Sequence, residues 1–192
     1  MTALANAARP APRRPNALLG MLVFVTAECM FFVGLGFAAL QLRRTVPAWP
    51  PEGAPGLDVP VILASTAILL ASSVTARRAV EHARRDERAA AGRGMLVTVA
   101  LGGAFLAAQA RQFVLLGGWR PAEGLYGTLF ELLAGFHGLH VLVGLLAWAP
   151  ALAAARWKHP ARTVHARALV GELYWHFVTL VWLALLALWF MP

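Results

Sequence analysis

Ionisable side chains lie inside long apolar runs of this sequence, where they cost free energy. The stretch FELLAGFHGLHVLVGLLAW, residues 130–148, carries Glu131, His137 and His140. Such groups persist in a membrane-length apolar run when they bind a metal, relay protons or pair with other polar groups, so they mark candidate functional sites. Other apolar runs hold further ionisable groups, Glu28, Arg111, Glu172 and His176, and two polar glutamines, Gln109 and Gln112.

The two histidines of this stretch have a spacing that can bind a metal, because side chains three residues apart share a helix face. A di-iron bundle, however, needs paired Glu-x-x-His motifs, whereas Glu131 lies six residues before His137. The single cysteine, Cys29, excludes a thiolate zinc cluster. We therefore predict no metal in this chain and interpret His137 and His140 as neutral side chains that hydrogen-bond between helices. A metal-dependent membrane enzyme that uses both histidines is the alternative.

Glu28 is the carboxylate that depth favours for proton transfer. At about 1.5 Å of rise per residue it lies roughly 16 Å into its helix, and His137 and His176 also reach the middle third of a ~30 Å hydrocarbon core. No apolar run has a proline at mid-depth. The sequence has five apolar runs long enough to cross a membrane, and five spans cannot be divided into two equal repeats. A stand-alone transporter or channel is therefore not favoured.

Arg111 and Glu131 have opposite charges and similar depth. Counted from the outer ends of their helices, they lie roughly 10 Å and roughly 9 Å into the hydrocarbon. We predict that they form a buried ion pair joining the third and fourth spans. In the alternative, Arg111 extends alone to the membrane surface.

The composition indicates membrane-spanning elements around these residues. Apolar residues make up 59% of the 192 residues and charged residues 14%, against about a quarter charged in soluble domains. Runs of about 20 apolar residues predict helices, because a backbone in lipid must satisfy its own hydrogen bonds. We predict an all-α integral membrane bundle over residues 17–192, after a disordered basic arm at residues 1–16. Its five spans are predicted at 17–41, 58–76, 94–118, 125–149 and 168–190.

The basic residues predict the orientation of the bundle. A net charge of +8 would suggest nucleic acid in a soluble protein, but these residues lie between apolar runs, so we predict no nucleic-acid partner. Thirteen of the 17 fall in the N-terminal arm and in the loops after spans two and four, which predicts a cytoplasmic N-terminus and an outer C-terminus. The loop RRAVEHARRDERAAAGR is predicted to extend the second helix, with anionic lipid headgroups or a neighbouring subunit as its partners.

Five segments together resemble haem-copper oxidase subunit III. YGTLFELLAGFHGLHVLVG is similar to the family's Gly-Phe-His-Gly-Leu-His segment, and YWHFVTLVWLALLALWF is similar to its last helix. FVTAECMFFVGLGFAAL resembles the helix with a buried carboxylate, whose position Glu28 takes. LASTAILLASSVT and FLAAQARQF resemble the two helices that follow it. The agreement in order and spacing runs from about residue 20 to the C-terminus.

The chain also departs from the family pattern. The family's Glu-Tyr appears here as Gln112 and Phe113, its Asp after Trp-His-Phe-Val is Thr179, and Glu131 stands where the family has an uncharged residue. A carboxylate lost at 112 and gained at 131 is consistent with one negative charge relocated beside Arg111. The sequence lacks the two leading helices of the seven-helix form, so it resembles the five-helix bacterial type.

The resemblance implies a subunit without redox centres or an active site of its own, in the bacterial cytoplasmic (inner) membrane. In the family, subunit III packs against catalytic subunit I in a complex with subunit II, binds phospholipid and supports proton uptake. Haem and copper are then expected in the partner subunits, where oxygen is reduced to water. Glu28 is the residue expected to be linked to proton uptake. Internal bracing is expected from Gln109, His137, His140, Glu172 and His176.

Two other interpretations fit the same segments. A paralogue of subunit III associated with nitric oxide reductase would share these motifs beside a different catalytic subunit. A lipid-binding assembly factor would be a stable monomer, whereas the interior polar groups and small-residue faces suggest an obligate partner. The proteins that co-purify with the chain separate these interpretations.

Overall fold

The predicted all-α fold is confirmed. The computed structural model describes residues 16–50, 52, 58–117 and 124–190, and within them the chain forms helices and no strands. The predicted basic arm lies outside the described residues, apart from Asn16. The helices are α1 (Asn16–Arg43), α2 (Val59–Arg84), α3 (Arg88–Gly117), α4 (Leu125–Ala147), α5 (Ala149–Arg156) and α6 (Ala161–Phe190).

The described residues include five helical segments long and apolar enough to cross a membrane. The fourth of these segments runs from Leu125 to Arg156 and so includes both α4 and the short α5. Pro150 lies in the first turn of α5, where a missing N–H costs no helical hydrogen bond, whereas α4 cannot continue unbroken through it. The chain is therefore a multi-pass membrane protein, as its apolar runs predict.

Three helices extend beyond the predicted spans. The second helix continues to Arg84 rather than ending at residue 76, the third begins at Arg88 rather than 94, and the last begins at Ala161 rather than 168. The predicted helical extension of α2 through the charged loop is thus confirmed only as far as Arg84, because residues 85–87 form a turn and residues 88–93 belong to α3. A three-residue turn joins α2 to α3, with Asp86 at φ 59°. Apolar runs predict only the part of a helix that lies in hydrocarbon, and polar helical ends continue into the surface layer.

The interior of the bundle is centred on α6, which packs against α1, α2, α4 and α5. Trp175 of α6 is fully buried and fits against two glycines. A Cβ added to Gly102 of α3 would lie 2.5 Å from the Trp175 ring, and one added to Gly144 of α4 would lie 3.0 Å from it. These glycines are required for the close approach of α3 and α4 to the indole ring.

The first helix contrasts with this interior. Of the 28 residues of α1, only Phe32 and Ala39 are buried within the chain. Large apolar side chains such as Met30 and Val33 are more than 70% exposed, as expected for a surface that faces lipid or another membrane protein. The bundle therefore has a dense α2–α3–α6 interior and a thinly covered α1 side, and each contains one carboxylate–histidine contact.

Candidate functional site

The first carboxylate–histidine contact joins α1 to α4. Glu28 Oε2 lies 3.0 Å from His140 Nε2, and the two side chains are 23% and 14% exposed. The other ring nitrogen of His140, Nδ1, lies 2.6 Å from the carbonyl oxygen of Phe136, one turn earlier in α4. The structure therefore brings together the two segments that carry the clearest sequence motifs, and Glu28 is partly rather than fully buried.

The geometry of this pair determines where its protons can lie. A carbonyl oxygen only accepts hydrogen bonds, so His140 Nδ1 must donate to Phe136. His140 Nε2 then faces Glu28 across one shared proton, which gives either an imidazolium with a carboxylate or a neutral imidazole with a carboxyl group. Both forms have zero net charge, which suits a membrane interior. One proton can thus be shared between two atoms 3.0 Å apart, near the middle of α1.

Aromatic side chains surround this pair. The ring of Phe32 packs edge-on to His140 at 4.9 Å, and Phe31 stacks over it at 6.3 Å. Tyr174 of α6 donates a hydrogen bond of 3.3 Å to the carbonyl oxygen of His140. The Glu28–His140 pair is thus fixed in an apolar setting by three helices.

The second contact lies within α6 and involves Glu172, which is only 3% exposed and which Arg77 links to α2. Glu172 Oε1 accepts a hydrogen bond of 3.3 Å from Arg77 Nη1 and lies 3.4 Å from His176 Nε2. Arg77 also lies 3.6 Å from Glu81, its neighbour one turn along α2. Because arginine keeps its charge at all ordinary pH values, Glu172 has a permanent cationic partner, which Glu28 does not.

His137 does not make the hydrogen bond that the sequence predicts. It is 1% exposed, and neither of its ring nitrogens has a hydrogen-bond partner among the described residues. Its ring instead stacks on Trp182 at 5.3 Å and meets Phe105 edge-on at 6.0 Å. The reason is geometric: residues three apart in a helix point in directions about 60° apart. His140 therefore faces α1, whereas His137 enters an aromatic slot between α3 and α6.

The predicted Arg111–Glu131 ion pair is also wrong. Arg111 Nη1 lies 3.1 Å from Oδ2 of Asp58, while Glu131 is exposed and forms no ion pair within the described part of the chain. Asp58 caps α2, where its side chain accepts a hydrogen bond from the Val61 N–H at 3.3 Å. Because α2 and α3 are antiparallel, the start of α2 lies beside the end of α3, and its capping carboxylate is the one within reach of Arg111.

The glutamines of α3 connect it to α2 in the same region. Gln109 Nε2 donates to Ser65 Oγ at 3.0 Å, which is an interhelical contact of the kind expected for this residue. Gln112 Nε2 donates to the backbone carbonyl of Asp58 at 3.2 Å. These contacts place the polar residues of α3 on its α2 side.

Sequence reasoning missed the polar face of the second span, which has hydroxyl groups instead of charges. Trp175 Nε1 donates to Ser72 at 3.0 Å, and Trp182 Nε1 donates to Thr66 at 2.9 Å. Hydroxyl pairs add two further links from α2, to α6 and to α3: Ser73 with Thr179 at 2.9 Å, and Thr75 with Thr98 at 2.8 Å. The signal was present as Ser and Thr at helical spacing, in LASTAILLASSVT.

The protonatable groups of the described residues do not gather into a metal-binding cluster. No group of three or more His, Cys, Asp or Glu side chains in that part of the chain is placed to hold a metal ion. His137 and His140 point to different helices, so they do not form a ligand pair. The arrangement supports proton holding at Glu28–His140 and helix bracing at Glu172.

Comparison with known proteins identifies the family. Residues 14–191 match the family described as cytochrome c oxidase subunit III. The chain belongs to that family. Cytochrome c oxidase subunit 3 of Synechocystis sp. is 37% identical over 172 residues, which cover 89% of this chain and 73% of that protein. The Thermostichus vulcanus protein of the same name is 34% identical over 89% of this chain and 85% of its own length.

A further relative has nearly the same length. Cytochrome c oxidase subunit 3 of Corynebacterium diphtheriae is 36% identical over 197 aligned positions, which cover 96% of this chain and 95% of the relative. Membership in the subunit III family makes this chain a component of an enzyme complex, and its helices fit a multi-pass membrane subunit. The family resemblance suggested by the sequence motifs is confirmed.

Proposed function

We propose that this chain is the non-redox subunit III of a proton-pumping haem-copper terminal oxidase, in contact with subunits I and II in the bacterial cytoplasmic membrane. The observation that carries the proposal is the Glu28–His140 contact, because it joins two motifs of the subunit III family across α1 and α4. The haem and copper of the partner subunits supply the electron transfer to oxygen. This chain supplies packing surface, bound phospholipid and a proton-holding pair.

A bracing role is supported by the use of its other polar groups. Glu172 is held by Arg77, Gln109 by Ser65, and Trp175 by Ser72, each across two helices. A side chain engaged in this way fixes helix positions. The chain thus stabilises the surface that it presents to the catalytic subunit.

A role in proton uptake is supported by the Glu28–His140 contact, in which two ionisable side chains lie within hydrogen-bond distance of each other. The excess of Lys and Arg in the N-terminal arm and in the segments 77–93 and 156–167 favours a cytoplasmic N-terminus. In that orientation the pair lies at mid-depth, within reach of protons that enter from the cytoplasm. Glu28 is the residue of this chain that couples to that uptake.

The decisive experiment is gentle purification of the tagged chain from its native membrane. We expect haem-bearing subunits to co-purify, a reduced-minus-oxidised spectrum typical of haem, and oxygen consumption by the preparation. A nitric-oxide-reducing partner would replace this proposal with the paralogue interpretation. A chain that comes alone with bound iron or copper would overturn the non-redox role, and a stable metal-free monomer would favour an assembly factor.

The role of Glu28 is tested in the assembled complex with Glu28→Gln and a matched control, Glu131→Gln. Both changes remove one carboxylate from a membrane helix, but only Glu28 contacts a histidine. We expect both variants to keep the haem spectrum and only Glu28→Gln to lower the rate of proton uptake during turnover. Equal rates in the two variants would remove Glu28 from proton uptake, and a lost haem signal in either would contradict the non-redox role.

A further inference from the structure

An open cavity of about 630 Å³ lies between the start of α3 and the end of α5. It is formed by two segments that are far apart in the sequence and meet beside the ends of their helices. Its lining combines four basic residues with apolar ones: Arg88, Arg93, Arg156 and Lys158 together with Ala89, Gly92, Leu96, Leu152, Ala153 and Ala155.

The positive charge of this cavity is largely uncompensated. Arg88 pairs with Asp86 at 2.7 Å, whereas Arg93, Arg156 and Lys158 have no ion pair within the described residues. No acidic residue lines the cavity. Three cationic side chains, from α3, from α5 and from the turn after α5, therefore converge on one open volume, and their mutual repulsion is relieved when an anion binds there.

A second basic cavity of the same chain provides the contrast. It has a volume of about 170 Å³, and it lies between α2 and α6 with Arg77, Arg84 and His165 in its lining. Its lining also includes Glu81 and Glu172, so its charges are balanced internally. The α3–α5 cavity is larger and lacks such carboxylates, which makes it the one of these two that is suited to an anionic ligand.

The α3–α5 cavity also has an apolar side that leads into the membrane. Leu96 lies two turns beyond Arg88 along α3 and is 59% exposed, and Leu152 faces the cavity from α5. Trp157, at the end of α5, is 72% exposed, and tryptophan favours the membrane–water interface. This order of basic and then apolar side chains fits a headgroup at the rim and acyl chains along the wall.

We propose that this cavity binds the phosphate group of an anionic phospholipid, with an acyl chain lying along Leu96. Basic pockets between transmembrane helices on the cytoplasmic side are suited to such headgroups. The proposal rests on the proposed function, since it gives a location to the phospholipid that a subunit III is proposed to bind. It assigns Arg156 and Lys158 of α5 and its end, and Arg93 of α3, as the phosphate-binding groups.

The test uses the intact complex, purified and reconstituted into nanodiscs of phosphatidylglycerol and phosphatidylcholine. The variant Arg156→Gln with Lys158→Gln is compared with the control Arg78→Gln with Arg162→Gln. The control removes the same charge from exposed side chains outside the cavity lining. Mass spectrometry then counts the phosphatidylglycerol retained per complex after detergent washing. We expect retention to fall about fivefold or more in the first variant and to stay at the wild-type level in the control.

Several outcomes would overturn the proposal. Equal retention in both variants would place the lipid elsewhere. If added inorganic phosphate displaces the retained lipid as strongly as added phosphatidylglycerol does, the cavity is a site for free anions rather than lipid. If the first variant alone loses a protein subunit, the cavity is a subunit interface. Haem spectra and oxygen consumption are recorded in parallel. A wild-type preparation that lacks both overturns the proposed function. An active complex in which the first variant retains as much phosphatidylglycerol as the wild type overturns this inference alone.

Discussion

The interior around Trp175 and the α1 side of the bundle use similar residues in different surroundings. On the α2–α6 side, Glu172 is almost fully buried and is held by a permanent cation, Arg77. On the α1–α4 side, Glu28 is about a quarter exposed and has a histidine as its partner. Arginine is a permanent cation, so Glu172 has a fixed charged partner that links two helices, whereas the partner of Glu28 is a histidine, whose charge depends on pH.

The two regions also differ in packing: the α2–α3–α6 interior, which holds Glu172, is denser than the α1 side, which holds Glu28. The helix α6 has eleven buried residues and Trp175 fits against glycines of two neighbouring helices. The helix α1 has two buried residues. A densely packed interior tolerates little change in volume or charge, while a thinly covered helix can adjust. We therefore expect rigidity in the α2–α3–α6 interior, and we propose proton chemistry at the α1–α4 contact.

The largest effect is expected from Gly102→Ala. The new methyl group would lie 2.5 Å from the Trp175 ring and 2.7 Å from Leu145, so we expect a loss of up to about 3 kcal/mol from the free energy of unfolding. Gly103→Ala and, on α1, Gly36→Ala are controls, because their added methyl groups meet no atom within 4 Å and one atom at 3.8 Å, respectively. Unfolding of the detergent-solubilised chain measures all three, and equal stabilities would erase the packing difference between the two regions.

The next largest effect is expected from Arg77→Gln. This change leaves the buried Glu172 carboxylate with His176 as its remaining partner at 3.4 Å. Because the Arg77 side chain is 66% exposed, we discount the full penalty of an unpaired buried charge and expect a loss of about 1–2 kcal/mol in unfolding free energy.

The neighbouring substitution Arg78→Gln is the control for Arg77→Gln. Arg78 is exposed and has no ion pair among the residues that the structure describes. We expect its removal to change stability by less than about 0.5 kcal/mol. If both variants lose the same stability, Arg77 acts through the general charge of the surface and the bracing role of Glu172 is wrong.

A smaller effect is expected from the Glu28–His140 contact. A double-mutant cycle with Glu28→Gln and His140→Gln should give a coupling energy of about 0.6 kcal/mol, the average for interhelical hydrogen bonds in membranes. The same cycle with Arg77→Gln and Glu172→Gln should give a larger value. A reversed order would mean that the α1–α4 contact is the structural one, and the assignment of proton chemistry to it would fail.

The fold could be predicted from the sequence because each span is long, apolar and bounded by polar residues. The side-chain contacts were predicted less well. Depth along a helix follows from residue number, so Glu28, His137 and His176 could be placed at mid-depth, but the direction in which each points depends on helix packing. His137 and His140 were therefore given one shared face, although packing turns them toward different helices.

The wrong partner predicted for Arg111 also comes from counting depth without the direction of the side chain. It further involves a second helix, α2. Depth alone matched Arg111 with Glu131, because both lie about two turns from the outer face. Asp58 begins the second predicted span and so does not belong to the polar groups inside the apolar runs. A capping carboxylate at a helix start is nonetheless positioned by its own hydrogen bond, which here is to Val61. Sequence spacing gives depth, whereas the antiparallel pairing of α2 and α3 decides which carboxylate meets the arginine.

The smallest effect expected here tests that correction. Arg111 and Asp58 have side chains that are 56% and 34% exposed, so a cycle with Arg111→Gln and Asp58→Asn should give a coupling of no more than about 0.5 kcal/mol, at the low end for exposed ion pairs. The Asp58→Asn change keeps a side chain that can cap α2, so helix capping does not confuse the result. A cycle with Arg111→Gln and Glu131→Gln should give no coupling in the isolated chain. Coupling to Glu131 instead of Asp58 would restore the ion pair predicted from depth, and would place the end of α3 against α4 rather than against the start of α2.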